Sequence, residues 1–185
     1  MSKATLRTFI AYVEDLPGVL NRITSLLRRR NYNIVSLVVG RTEREGVSRM
    51  TIVLEADDDA ARRIEANLYK LVNVLRVEDT SHAATVTREL ALIKVRADAA
   101  NRSEVMRLCD VFRARVVDVG PEALVAEITG AAEKIEGLVD VLRPFGIVEM
   151  VRTGAVAMLR SAEAAPSDAG RDPTPEPGND DAKAA

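Results

Sequence analysis

Apolar residues fall along this chain in two alternating periods. From Leu6 to Val13 the period is two: Phe9, Ala11 and Val13 share one side, Leu6, Thr8, Ile10 and Tyr12 the other. This predicts a strand that is largely apolar on both faces. The period then lengthens. Val19, Leu20, Ile23, Leu26 and Leu27 form the single stripe of a helix. Asp15 is placed to cap that helix, and Pro17 suits its first turn, where a missing N–H costs nothing. Arg28, Arg29 and Arg30 fall in the last turn, where positive charge favours the helix dipole. Asn31 follows at the position expected for a left-handed C-cap. Ile34–Val39 reads as a second strand, Thr42–Gly46 as a turn, and Ser48–Glu55 as a third strand. Asp57, Asp58 and Asp59 then open a helix striped by Ile64, Leu68, Leu71 and Val72, and Val74–Val77 closes with a short strand. The order strand, helix, strand, strand, helix, strand is the ferredoxin-like motif.

The same order returns at an offset of about 83 residues. Glu89–Arg96 is a strand. Asn101 and Glu104 make a capping-box-like start to a helix striped by Val105, Leu108, Cys109 and Phe112. Arg115–Val119 and Ala123–Ile128 flank the turn Gly120-Pro121. Ile135, Leu138, Val139 and Leu142 stripe a helix that Pro144 ends, and Ile147–Val151 completes the unit. The expected fold class is α+β, two tandem ferredoxin-like βαββαβ units over 4–80 and 89–158, joined by a linker at 81–88. From Ser161 to Ala185 periodicity stops. Four prolines and six acids against two bases, with no large apolar residue, predict a disordered acidic tail.

Composition narrows the function. The chain has 185 residues, is 47% hydrophobic and carries a net charge of −2, with the tail acidic and the remainder slightly basic. Neither balance is the footprint of a nucleic-acid or membrane binder. The third strand, Val47-Ser-Arg-Met-Thr-Ile-Val-Leu, lacks the aromatics by which this fold reads RNA. One cysteine, Cys109, and one histidine, His82, can build neither a disulfide nor a His/Cys metal cluster. Cys109 sits on an apolar stripe and reads as core; His82 reads as surface. No phosphate loop occurs. No signal peptide or membrane-length apolar run is visible, so a cytoplasmic location is expected.

Two stretches carry the candidate chemistry. Asp15-Leu16-Pro17-Gly18 leads into a helix N-terminus, whose free N–H groups suit a carboxylate, and Gly18 lets a ligand approach the backbone. Asp15 and the amide of Asn33 suit an ammonium group. Leu16, Val19 and Ile34 suit a small branched apolar side chain. Together these fit a free amino acid in one small polar mouth; the same residues also read as no more than a helix start. The first two strands carry more apolar surface than one helical layer covers. Ile10, Tyr12, Leu37 and Val39 are left over once Phe9, Val13, Ile34 and Val38 are placed under the helices. A spare face of several hundred Å² marks association and predicts a dimer, edge to edge or face to face.

Glu14-Asp-Leu-Pro-Gly-Val-Leu resembles the opening loop of an ACT domain, an amino-acid-sensing module. Asn31-Tyr-Asn-Ile-Val-Ser-Leu37, Ser48-Arg-Met-Thr-Ile52, Leu68–Val77, Arg88–Val95 and Val148–Gly154, in this order, resemble the regulatory (small) subunits of acetolactate synthase. The resemblance covers roughly residues 5–160 and departs from the family at Asn21, Asn31 and Val35. It implies an N-terminal ACT domain and a C-terminal ACT-like domain that contacts the catalytic subunit. It further implies a non-catalytic chain, itself without cofactor, that binds valine between the ACT domains of a homodimer. Such a chain stimulates a separate catalytic (large) subunit carrying thiamine diphosphate, Mg and FAD, and confers end-product inhibition on it. The effector-binding residues carried over are Asp15, Leu16, Pro17, Gly18, Val19, Leu20, Asn33 and Ile34. A stand-alone tandem-ACT sensor acting on another target is the alternative.

Overall fold

The computed structural model describes residues 4–161. The tail expectation at 161–185 therefore lies, apart from Ser161, outside the described residues. The first unit comprises β1 (Thr5–Glu14), α1 (Val19–Arg29), β2 (Ile34–Arg41), β3 (Val47–Ala56), α2 (Asp58–Leu68) and β4 (Val74–Asp79). Its strands lie in the order β2-β3-β1-β4, all neighbours antiparallel. Both helices cover one face, over a core that includes Phe9, Val13, Ile52, Ile23, Leu27 and Ile64. Burying each such side chain contributes about 1.5–3 kcal/mol. The second unit repeats the plan with β5 (Thr85–Arg96), α3 (Arg102–Val111), β6 (Arg115–Val119), β7 (Ala123–Gly130), α4 (Ala132–Leu142) and β8 (Ile147–Arg152), ordered β6-β7-β5-β8. A further strand, β9 (Val156–Leu159), pairs with Thr85–Arg88 of β5.

Several local expectations change. Asp15 does not cap α1: the N-cap is Gly18, at φ +85°, with no side-chain cap, and Pro17 lies before the helix. Leu20 is exposed rather than part of the buried stripe. The second helix stops at Leu68, so Val72 is 84% exposed. Asn101 starts α3 without a side-chain cap; the carboxylate of Asp98 accepts the N–H groups of Ala100 and Asn101 instead. Asn31 is left-handed at φ 60°, as its place after the helix predicts. Thr85–Arg88, expected as linker, is strand. The remaining connection is held down. Thr80 donates its N–H to Thr8 O at 2.9 Å, Ser81 Oγ accepts Thr8 N–H at 2.9 Å, and the buried Arg7 reaches His82 and Asp58.

The spare apolar face has a different composition from the one expected. The register between β2 and β3 shifts between Ile34 and Ser36, leaving Val35 as a bulge. One inserted residue reverses which side the following residues take. Ile34 and Leu37 consequently pack on the helix side, Leu37 opposite Ile52. Ser36 and Val38 turn to the outer face, opposite Val53 and Thr51. That outer face is largely covered by the chain itself. Ala155 N–H donates to Ser36 Oγ at 3.1 Å, and Arg49 donates to the carbonyl of Ala157, so β9 lies against it. Ile10, only 1% exposed, is buried outside the helix-side core. Beside it Tyr12 lies between the guanidinium groups of Arg49 and Arg76, 5.9 and 5.6 Å from its ring centre.

Candidate functional site

β1 delivers Asp15 to the end of the sheet where the β2–β3 hairpin turns. The Asp15 N–H donates to Gly46 O at 2.8 Å, which ties the loop to that hairpin. Its carboxylate points outward, 3.6 Å from Arg41 Nε, with both side chains open to solvent. Leu16 N–H turns back to Glu14 O, and Gly18 takes a conformation that side chains rarely adopt. A Cβ at Gly18 would meet nothing within 4 Å, so the space above the loop is free. The backbone N–H groups of Leu20 and Asn21 have no acceptor among the described residues. A carboxylate placed there would meet two donors and the positive end of the helix dipole. Leu16 and Leu20 are exposed beside it. A cleft of about 350 Å³, lined by Asp15, Arg41, Thr42, Arg44, Glu45, Gly46 and Val47, opens at this end.

Asn33 and Ile34 lie elsewhere. They start β2, after Tyr32 N–H closes the end of α1 on Leu27 O at 3.1 Å. A helix of 11 residues is about 16 Å long, and that length separates them from the loop at Asp15. A second cleft of about 400 Å³ lies here, lined by Thr24, Arg28, Asn31, Tyr32, Asn33 and Ile34. One chain thus brings Asp15, Leu16, Pro17, Gly18, Val19 and Leu20 together at one end of the β2 edge and Asn33 with Ile34 at the other. Val19 is buried in the core, while Pro17 and Gly18 form the loop itself. Arg41, in the first cleft, escaped the sequence reading, which took Arg28, in the second, as a charged helix end. Only the strand order shows that the end of β2 comes back to Asp15.

Cys109, on the inner side of α3, is fully buried. Burial, and then the neighbouring Asp110, push its thiol above the ordinary range. Among the described residues no group of His, Cys, Asp or Glu is placed to hold a metal, and no helix is long and apolar enough to cross a membrane.

Comparison with known proteins follows the same division. The family model described as the AHAS small subunit-like ACT domain matches residues 9–76, and that described as the small subunit of acetolactate synthase matches 88–161. The acetolactate synthase small subunit of Mycolicibacterium smegmatis is 47% identical over 161 residues, covering 86% of this chain and 95% of that one. The probable small subunit of Methanothermobacter thermautotrophicus is 46% identical over 153 residues, covering 82% and 91%. The crystal structure of the small subunit from Thermotoga maritima superposes with a TM-score of 0.79 at 38% identity, over 84% of this chain and 98% of that one. The fold is thus a pair of ACT-type units, the first with an uncapped opening loop. The chain belongs to the acetolactate synthase small (regulatory) subunit family.

Proposed function

We propose that this chain senses valine at a site shared between two copies and passes its occupancy to a separate acetolactate synthase catalytic subunit. The observation that carries the reading is the division of the candidate residues between the two ends of one strand. β2 is an edge of its sheet. Two copies joined antiparallel along β2 about Leu37 and Val38 bring Ile34 of one opposite Arg41 of the other. Each Asp15 loop then meets the second copy's Asn33 and Ile34, and a two-fold axis makes two complete sites. The partly exposed Val35, Val39, Leu16 and Leu20 supply apolar surface around that edge. In such a site Asp15 and the second copy's Asn33 hold the ammonium group, and Leu20 and Asn21 N–H hold the carboxylate. Leu16 and Ile34 enclose the branched side chain. The reading also assigns stimulation of the catalytic subunit to this chain, and chemistry at thiamine diphosphate, Mg and FAD to the other.

The test is reconstitution. The chain alone is assayed for pyruvate condensation, then mixed with the catalytic subunit with and without valine. The expected result is no activity alone, stimulation of the mixture, and loss of that activity with valine. Condensation by the chain alone would overturn the regulatory reading. Neither stimulation nor a valine effect would move the weight to a sensor with another target.

A further inference from the structure

β8 and β9 are one strand interrupted at Thr153–Ala155. The pairing with β5 continues through the interruption: Thr153 N–H donates to Leu90 O at 3.0 Å, and Thr153 Oγ1 accepts Leu90 N–H at 3.1 Å. Thr85–Arg88 of β5 and β9 therefore form a two-stranded ribbon that runs on from β5 and β8 beyond the second sheet and lies against the outer face of the first. Gly154, at φ +85°, is the kink that turns it there. Its backbone sits so close to β2 that a Cβ would overlap the Ser36 hydroxyl and approach Val38 Cγ2 to 3.3 Å. Ala157 behind the kink is 1% exposed.

We propose that this contact, Ser36 against Gly154 and Ala155, is where occupancy of the effector site is passed to the second unit. The inference rests on the function proposed above. Ser36 is three residues from Asn33, and only the Val35 bulge separates it from Ile34. A bulge is a place where strand register has slack. A ligand that fixes Asn33 and Ile34 fixes the bulge, and the bulge sets where Ser36 Oγ stands. The Ala155 N–H bonded to that oxygen follows it. Ala155 continues back into β8, whose last residue, Arg152, holds Glu89 of β5 at 2.6 Å and also Glu136 of α4. The second unit thus receives the displacement on an edge strand tied to its central strand and to a helix. Packed contacts of this kind change between discrete arrangements rather than yield gradually.

Two variants test it in the full chain. Gly154→Ala pushes Ser36 away; Ser36→Ala removes the hydrogen bond without adding bulk. Valine binding to each is measured by calorimetry, and each is mixed with the catalytic subunit and titrated with valine. The expected result for Gly154→Ala is stimulation within twofold of the unsubstituted chain and valine affinity within threefold. Saturating valine then leaves at least threefold more residual activity than it does with the unsubstituted chain. Ser36→Ala moves the same way by a smaller factor, and it carries the test where Gly154→Ala fails to fold. Inhibition that weakens only as binding weakens, or stays unchanged in the folded variants, overturns the inference while leaving the proposed function standing. An unsubstituted chain that neither binds valine nor confers inhibition overturns both.

Discussion

In the first unit the chain leaves β1 through Asp15–Gly18 and starts α1 with the N–H groups of Leu20 and Asn21 bonded to nothing among the described residues. In the second it leaves β5 through Asp98–Asn101, and the Asp98 carboxylate takes the N–H groups of Ala100 and Asn101 at 2.8 and 3.2 Å. Arg102 then closes that loop onto the next hairpin, donating to the carbonyls of Ala97, Gly120 and Pro121. The same topology is therefore finished in two ways. The second loop turns its carboxylate onto its own backbone, although Asn101 Oδ1 and Arg102 Nε stay unpaired; the first leaves a carboxylate, two N–H donors and a glycine facing solvent. At an exposed helix start water meets such N–H groups, and a ligand carboxylate can take the water's place. The difference teaches that, of the two loops, the first is the one with a carboxylate and helix-start N–H groups left for a ligand.

The comparison breaks first at the cores, if the units are not equivalent there. Ile64 in α2 and Ile135 in α4 are both fully buried. Ile64→Ala and Ile135→Ala should each lose about 2–5 kcal/mol in urea unfolding. A large inequality would mean that one unit leans on the other for its stability.

The loops come next. Gly18→Asp forces a side chain into the left-handed region, costing about 1–2 kcal/mol, and puts a negative charge where the proposed site seats the effector carboxylate. Valine inhibition should fall at least tenfold while stimulation survives. Asn101→Asp, at the matching helix start of the second unit, should leave inhibition unchanged. Unchanged inhibition in Gly18→Asp would mean the site lies elsewhere. A subtler pair separates holding a loop from holding a ligand. Asp98→Ala should lose about 1 kcal/mol of stability with no effect on valine. Asp15→Ala should leave stability within about 0.5 kcal/mol yet weaken valine binding at least tenfold, about 1.4 kcal/mol.

What made this contrast partly legible in the sequence is that cores are written in periodicity. Ile135, Leu138, Val139 and Leu142 all fall under α4 as their spacing predicts, and all are buried. The two-unit fold followed from that kind of signal. Three features did not. The Val35 bulge leaves no mark in Ile34–Val39, because every residue there except Ser36 is apolar and either parity fits. β9 is four residues long and cut from β8 by Gly154, so it gave no period of its own. The distance between Asp15 and Asn33 is a property of strand direction: Asn33 begins the strand whose end returns to Asp15. Residues that sequence spacing set side by side as one mouth lie a helix length apart. Asp98 and Asp15 look alike as letters, and only the structure distinguishes the one that bonds its own backbone.

The smallest effect sharpens the comparison at the second helix of each unit. Glu136 on α4 meets Arg152 on β8, with Glu89 beside it. Burial works against the Arg152 charge, but its hydrogen bonds to the two carboxylates prevail and hold its pKa above the ordinary value. Among the described residues no cation is paired with Glu65 on α2. Burial first, and then the nearby Asp79, push its carboxyl above the usual range. The folded first unit thus favours Glu65 protonated. Its contribution is fully present below the unfolded-state value, about 4.3, and is lost as pH rises through the raised folded value. Glu65→Gln removes the titration and should raise the unfolding midpoint slightly at pH 7. The gain should fade toward pH 3, where the carboxyl is protonated in both folded and unfolded chains. Midpoints of both proteins followed from pH 3 to pH 7 give the answer. A difference that is the same at every pH would come from packing around residue 65 and would remove this electrostatic contrast between the two helices.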